Sequence, residues 1–349
     1  MENSFFIYAE QGKSIRVERF HICTWEFANN SSLVEFGFEI SKESIKNDNL
    51  NVSLFIPWVG KNCEIKDLYD KLSIADNSRF IFNDSISATK YLKKNTNSLG
   101  VIHTFSNRNE LCVLPVDIRI EEDKIVAATL NLKAYREHNQ ELKPNVYFRF
   151  WIKPSASFIS MRKNGVNKST IIYDIKINER RNIPADKIEY FSNQEFCKMK
   201  YCFSFNILPN KYDIVFFDNT SLKNVRTLEY ESFNKYLGDK RVKKDELIVV
   251  FNKKEDSESF SFFSIYSKER IGTGQFALAI LINIICGVLF FIPSYKKSIN
   301  TGLSFSNIPI EIFFALGVAL ITFLYFIWPT IQNTFNKILD RCKNFTDKK

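Results

Sequence analysis

Period-two alternation in the stretch VYFRFWIK separates two sets of side chains. Read as a strand, it turns Val146, Phe148, Phe150 and Ile152 to one side and Tyr147, Arg149, Trp151 and Lys153 to the other. Rings interleaved with cations on one face can stack a planar base and neutralise a phosphate, at roughly 1–3 kcal/mol per stacked base. Such a face suits a nucleotide, a nucleic acid or an acidic protein ligand. The other reading is that it packs under a second sheet or a helix, with its charges reaching out at the edges. A second spacing, Gly272, Gly274 and Ala277, opens like a dinucleotide-binding turn. The residues after it argue otherwise: Phe276 to Ile292 is apolar on every side apart from Asn283, and the next acidic residue able to hold a ribose is Glu311. Gly272 and Gly274 therefore read as a hinge at a membrane surface.

Other chemistry is sparse. His21, His103 and His138 stand alone, with no metal-ligand spacing, no cysteine cluster for zinc, no P-loop and no nucleophile elbow. His103 reads as an ordinary hydrogen-bonded side chain in a strand. In PVDIRIEEDK, Asp117 followed by Glu122 and Lys124 resembles the acid and E-x-K arrangement of the PD-(D/E)xK nucleases. That resemblance implies a divalent metal held by the carboxylates, with the lysine helping to position the attacking water. The competing reading makes residues 121–124 the solvated turn of a hairpin. A catalytic triad assembled from distant positions stays open. The expectation is a protein that is not an enzyme, without cofactor, metal or catalytic residues.

The elements that would carry these residues are mostly strands. In SLVEFGFEI, Val34, Phe36, Phe38 and Ile40 share one face and Glu35, Gly37 and Glu39 the other, and NLNVSLFI repeats the alternation. Further strands are expected at 100–105, 111–120, 124–132, 146–152, 169–177, 201–207, 213–218, 247–251 and 259–266. Helices are few: EIKDLYDKLSIA, SATKYLKK and ESFNKYLGDK, the last stopped by Gly238. The fold class expected is mainly β, an antiparallel sandwich or barrel-like arrangement in two units, 1–138 and 145–268, divided at the polar run REHNQELKPN, with a C-terminal two-helix transmembrane hairpin over 272–349.

The hairpin rests on charge patterning. Residues 271–295 and 312–336 each run 25 positions without Asp, Glu, Lys or Arg, enough to cross a hydrocarbon core of about 30 Å. Spans are expected at about 275–293 and 311–330. Seven basic residues flank their outer ends (Lys268, Arg270, Lys337, Arg341, Lys343, Lys348 and Lys349), against Lys296 and Lys297 between them. This predicts an inner (plasma) membrane location with both termini cytoplasmic and residues 296–308 outside. The first residues hold no basic start followed by an apolar run, so no export signal is expected there. Seven cysteines without a C-x-x-C pair read as free thiols in a reducing compartment. Of the net charge of +9, seven basic and three acidic residues after 270 leave +4 in the tail. That excess suits anionic lipid, and Ile331, Phe335, Ile338, Leu339, Cys342 and Phe345 recur at the spacing of an amphipathic interfacial helix. Within the spans, Asn283 with Gly287 and Ala315 with Ala319 sit four apart, a spacing that lets helices approach closely within one hairpin or between copies of the chain.

This layout, a soluble β-rich body followed by two spans, resembles the membrane-anchored effectors of bacterial immune, or anti-phage, systems. The resemblance covers domain order and span count. It implies a cytoplasmic body that binds a ligand or partner, a homo-oligomer, and association or permeabilisation of the lipid bilayer by the hairpin. The alternatives are a membrane-tethered hydrolase or nuclease with a passive anchor, or an envelope scaffold or transporter accessory.

Overall fold

The structure, a computed structural model, describes residues 3–27, 31–94, 97–121, 124–138, 143–154, 159–164, 168–218, 220–243, 247–255, 257–269 and 273–298, with Phe313, Leu316, Gly317, Leu320 and Ile321. The chain divides into two compact units, residues 1–163 with 170–268, and residues 164–169 with 269–349.

Two sheets organise the first unit. One holds β1 (Ser4–Glu10), β4 (Asn49–Phe55), β9 (Asp117–Ile120), β10 (Ile125–Asn131), β13 (Lys168–Ile177), β16 (Asp213–Phe217) and β19 (Phe260–Glu269) in the order β16-β19-β13-β1-β4-β10-β9, with β12 (Met161–Asn164) and β14 (Gln194–Phe196) attached at the side. The other holds β2 (Arg16–Glu26), β3 (Ser32–Ile40), β6 (Ile86–Lys94), β7 (Asn97–Phe105), β8 (Leu111–Val113), β11 (Asn145–Lys153), β15 (Lys198–Pro209), β17 (Leu222–Thr227) and β18 (Leu247–Glu255) in the order β17-β18-β15-β2-β3-β11-β8-β7-β6, with β5 (Glu64–Asp67) beside β11.

The sheets face each other across a layer of fully buried side chains. Phe5, Ile7 and Leu54 come from the first, and Phe20, Phe36, Phe38, Phe148 and Phe150 from the second. Phe38 and Phe148 stack with ring centroids 4.8 Å apart and planes 8° from parallel. Each such side chain contributes about 1.5–3 kcal/mol through area removed from water. Each sheet also carries a second apolar face. Behind the ten-stranded sheet, Trp25, Tyr147 and Ile207 pack with Leu72 of α1 (Tyr69–Leu72), Phe82 of α2 (Ala75–Phe82), and Phe233 and Tyr236 of α5 (Tyr230–Leu237). Behind the other, Phe6, Tyr8 and Phe55 pack with Phe191 of α4 (Ile188–Ser192). α3 (Lys133–Glu137) is the remaining α-helix among the described residues of this unit.

The chain is mainly β and sandwich-like, as its alternation predicts, with two corrections. The sheets are mixed: β1 runs parallel to β13 and β2 parallel to β15. Those pairings also cancel the division into 1–138 and 145–268, because each joins a strand of the first half to one of the second. The polar face of β3 is buried too, Glu35 at 0% exposure, because α5 and the neighbouring strands cover it. Locally, SATKYLKK is not a helix but lies within β6, paired with β7. EIKDLYDKLSIA splits into β5 and α1, because Asp67 Oδ1 accepts the Tyr69 N–H (3.0 Å) and starts the helix there. α5 ends at Gly238 as predicted, in the left-handed conformation (φ 66°).

In the second unit, α6 (Thr273–Ser298) is a 26-residue helix whose side chains are described for Gly274 and residues 277–290. Among the described residues, no helix is long and apolar enough to cross a membrane. Ala277, Leu281, Ile284 and Val288 form a half-buried stripe at i, i+4, i+7 and i+11, while the other described side chains from 278 to 290 are exposed, Phe290 to 79%.

Candidate functional site

The alternation that fills the sandwich core also sends β2's Arg19, His21 and Cys23 to the helix-covered face of the ten-stranded sheet. Register then extends this set in rows across the sheet. Cys23 lies opposite Phe205, Phe205 opposite Phe251, and Phe251 opposite Asn224; one row away, His21 lies between Phe203 and Gly37, and Gly37 lies opposite Arg149. Phe203, Phe205 and Phe251 are half-buried, and the rings of Phe205 and Phe251 stack at 4.8 Å with planes 3° from parallel.

With Phe80 and Phe82 from α2 and Phe233 from α5 as walls, this floor encloses a cavity of about 290 Å³. Five cations line it: Arg19, Arg108, Arg149, Lys223 and Arg226. Glu35 pairs with Arg149 (2.7 Å to Nε) and Glu229 with Arg226 (3.2 Å). Glu39 serves two guanidiniums at once, Arg108 at 3.0 Å and Arg19 at 3.6 Å. Lys223 forms no ion pair among the described residues. Five cations against three carboxylates leave two positive charges uncompensated at the cavity.

Glu35 anchors the deep end. Its carboxylate accepts from Trp25 Nε1 (2.8 Å), Arg149 Nε (2.7 Å) and Tyr236 Oη (3.0 Å). Burial works against charge on Arg149, but Glu35 outweighs it and holds the guanidinium well above its ordinary pKa. A buried pair of this kind is tolerated because nearly every polar group in it has a partner. Arg149 Nη1 also donates to Tyr147 Oη (3.5 Å), which leaves the phenol proton for Nδ1 of His21 at 3.0 Å. Burial, then Arg149, Arg19 and Arg108, push His21 well below its usual pKa, so it is neutral at pH 7. Gly37 makes room for this arrangement: a Cβ there would stand 2.3 Å from Tyr147 Oη.

The residues singled out in the sequence divide accordingly. Tyr147 and Trp151 are packed beneath α1, α2 and α5 and do not form an open stacking face, as in the second of the two readings of that strand: the covered face is hydrophobic enough to need helices over it. Arg149 is buried yet lines the cavity. Lys153 sits at the edge, 3.6 Å from Glu64. His103 is an internal hydrogen-bonded residue, its Nε2 donating to Leu72 O (2.8 Å). Asp117 pairs with Arg119 (2.8 Å), and Lys124, at φ 68°, lies in the β9–β10 hairpin; Glu122 lies outside the described residues. Among the described residues no group of three His, Cys, Asp or Glu side chains is placed to hold a metal. Asn283 and Gly287 are exposed on α6, away from its half-buried stripe, Gly274 is in its first turn, and Gly272, Ala315 and Ala319 lie outside the described residues.

Arg19, Arg108, Lys223, Arg226 and the three floor phenylalanines were not signalled by any motif. The signal present was RVERFHICTWE, whose alternation marks a strand, but its place beside β15 depends on a parallel pairing across about 180 residues. No protein-family model and no curated protein matches this sequence.

Proposed function

We propose that this protein is a membrane-anchored, non-enzymatic sensor whose β-rich body binds a small anionic ligand in the cavity on the ten-stranded sheet, and whose C-terminal segments respond in the inner membrane by associating or permeabilising it. The observation that carries the reading is the cavity: a concave site with an aromatic floor and two surplus positive charges, in a chain whose Asp117 pairs with Arg119 and whose His103 is held by Leu72 O. The membrane half is supported by the sequence of α6 and by apolar side chains exposed on most of its circumference, an arrangement that suits lipid better than water. Exposed Asn283 and Gly287 would face a neighbouring copy rather than the half-buried stripe, consistent with a homo-oligomer. Only Arg270, Ile271 and Gly272 separate β19 from α6, so strain in the body's last strand has a short covalent route to the helix. A role in anti-phage defence belongs to this proposal through layout.

The test is a membrane-potential dye in cells expressing the chain under conditions that activate it. Depolarisation should appear with the full chain, weaken with Asn283→Leu and vanish on deletion of residues 272–349. A deletion that keeps full activity in solution would favour the tethered hydrolase or nuclease instead.

A further inference from the structure

We infer that the cavity ligand is a nucleoside phosphate, its base extending the stacked rings of Phe203, Phe205 and Phe251 and its phosphate at the corner formed by Arg19 and Arg108. This rests on the sensor reading above and narrows its ligand class. Three observations carry it. The floor is aromatic, with half-exposed Phe205 and Phe251 stacked on each other at 4.8 Å and 3° from parallel, and a planar base extends such a stack with little dependence on which base it is. At one flank, Arg19 and Arg108 share the single carboxylate of Glu39, so one guanidinium charge there has no counterion of its own. A phosphate monoester, at −1.5 to −2 near pH 7 by the usual range of roughly 6 for its second pKa, supplies that counterion and accepts in the bidentate geometry a guanidinium presents. At the other flank, three strands across from β2 and four residues along it from Arg19, Asn224 and Lys223, which forms no ion pair among the described residues, meet whatever extends beyond the ring.

Size and burial narrow the class further. At about 290 Å³ the cavity is at the lower end of the roughly 300–1,000 Å³ that ligand sites occupy, room for one nucleotide and not for a strand of nucleic acid. An acidic peptide would satisfy the charges but leave the phenylalanine floor unmatched. Inorganic phosphate would satisfy one flank alone. Arg149 and Glu35 form the rigid back wall, since both are buried and hold each other, and His21 is neutral beside them.

The experiment is isothermal titration calorimetry on the full-length chain in detergent with AMP, GMP, CMP, UMP, adenosine and sodium phosphate as separate ligands. At least one nucleotide should bind, with affinity falling as salt rises, while adenosine and phosphate alone bind at least tenfold more weakly. Arg19→Ala should weaken the best nucleotide roughly ten- to hundredfold, and Phe251→Leu roughly five- to fiftyfold, with unchanged melting temperatures. Absence of binding by all four nucleotides, or phosphate binding as tightly as any of them, overturns the assignment. Run beside it, the membrane-potential assay separates the two proposals. If no nucleotide binds but Arg19→Ala still abolishes depolarisation, the ligand class is wrong and the sensor reading survives; if depolarisation is indifferent to Arg19→Ala, the sensor reading itself fails.

Discussion

Glu35 concentrates most of the electrostatic risk in this molecule. Its carboxylate is fully buried and held by Trp25, Arg149 and Tyr236, so removing the guanidinium leaves a charge in a low-dielectric site with no counterion. Arg149→Ala should therefore cost about 3–5 kcal/mol, measured by urea unfolding of the body, whereas the triple replacement Arg149→Met, Glu35→Leu and Tyr236→Phe should recover part of that loss, Trp25 Nε1 still lacking its acceptor. Recovery would show that the pair is kept for the cavity and not for stability. Gly37→Ala tests the neighbouring space, since its methyl would displace the Tyr147 hydroxyl and leave Nδ1 of His21 unsatisfied. His21 gives a signed pH prediction. Its folded pKa lies well below the ordinary 6.5, so below that pH the unfolded chain takes up a proton that the folded chain refuses, and stability is lost as pH falls through 6.5. Asp67 acts oppositely, because burial raises it to about 6 and protonation there favours the folded state. Comparing wild type with His21→Gln cancels Asp67. Between pH 7.5 and 5.5 the melting temperature of wild type should fall relative to the variant, and parallel curves would remove His21 from this role.

At the scale of elements, α2 and α5 decide whether the aromatic and cationic face of the sheet is a surface or a cavity. α5 is fixed at its end by Gly238, whose φ of 66° is costly for any residue with a Cβ, and in its last turn by Tyr236 donating to Glu35. Gly238→Ala meets open space, with Lys71 Nζ the nearest atom at 3.6 Å, so its cost is conformational and should be about 1 kcal/mol, read as a drop of a few degrees in melting temperature. A loss several times larger would mean that the end of α5 packs more tightly than this geometry implies. The same scale explains two elements misjudged from pattern. SATKYLKK lies within a strand because pairing with β7 supplies its backbone hydrogen bonds, and propensity yields to such pairing. EIKDLYDKLSIA has a helical stripe, but its first residues pair with β11.

For the whole molecule, strand interleaving makes the body indivisible. β1 and β2 pair with β13 and β15, so a fragment ending at residue 138 loses neighbours on both sheets. We expect residues 1–138 alone to give no cooperative unfolding transition, while residues 1–268 melt cooperatively and remain soluble without detergent; circular dichroism of the two fragments checks this. A folded 1–138 fragment would contradict the topology.

Alternation in the sequence was enough to establish that this chain is mainly β, because side chains on successive residues must leave a strand on opposite sides. It also placed most central strands, including β3, β11 and β18, identified the Gly238 helix stop, and showed that Arg149 shares a face with Tyr147 and Trp151. It was silent on whether that second face meets water or a helix, since burial is a property of what packs against a strand and not of the strand. The cavity depends on Arg19, Lys223 and Phe251 meeting from β2, β17 and β18, strands far apart in the chain. Only tertiary pairing brought those residues together: the sequence contains each strand's pattern, but a parallel partner is selected by the free energy of burying both faces at once.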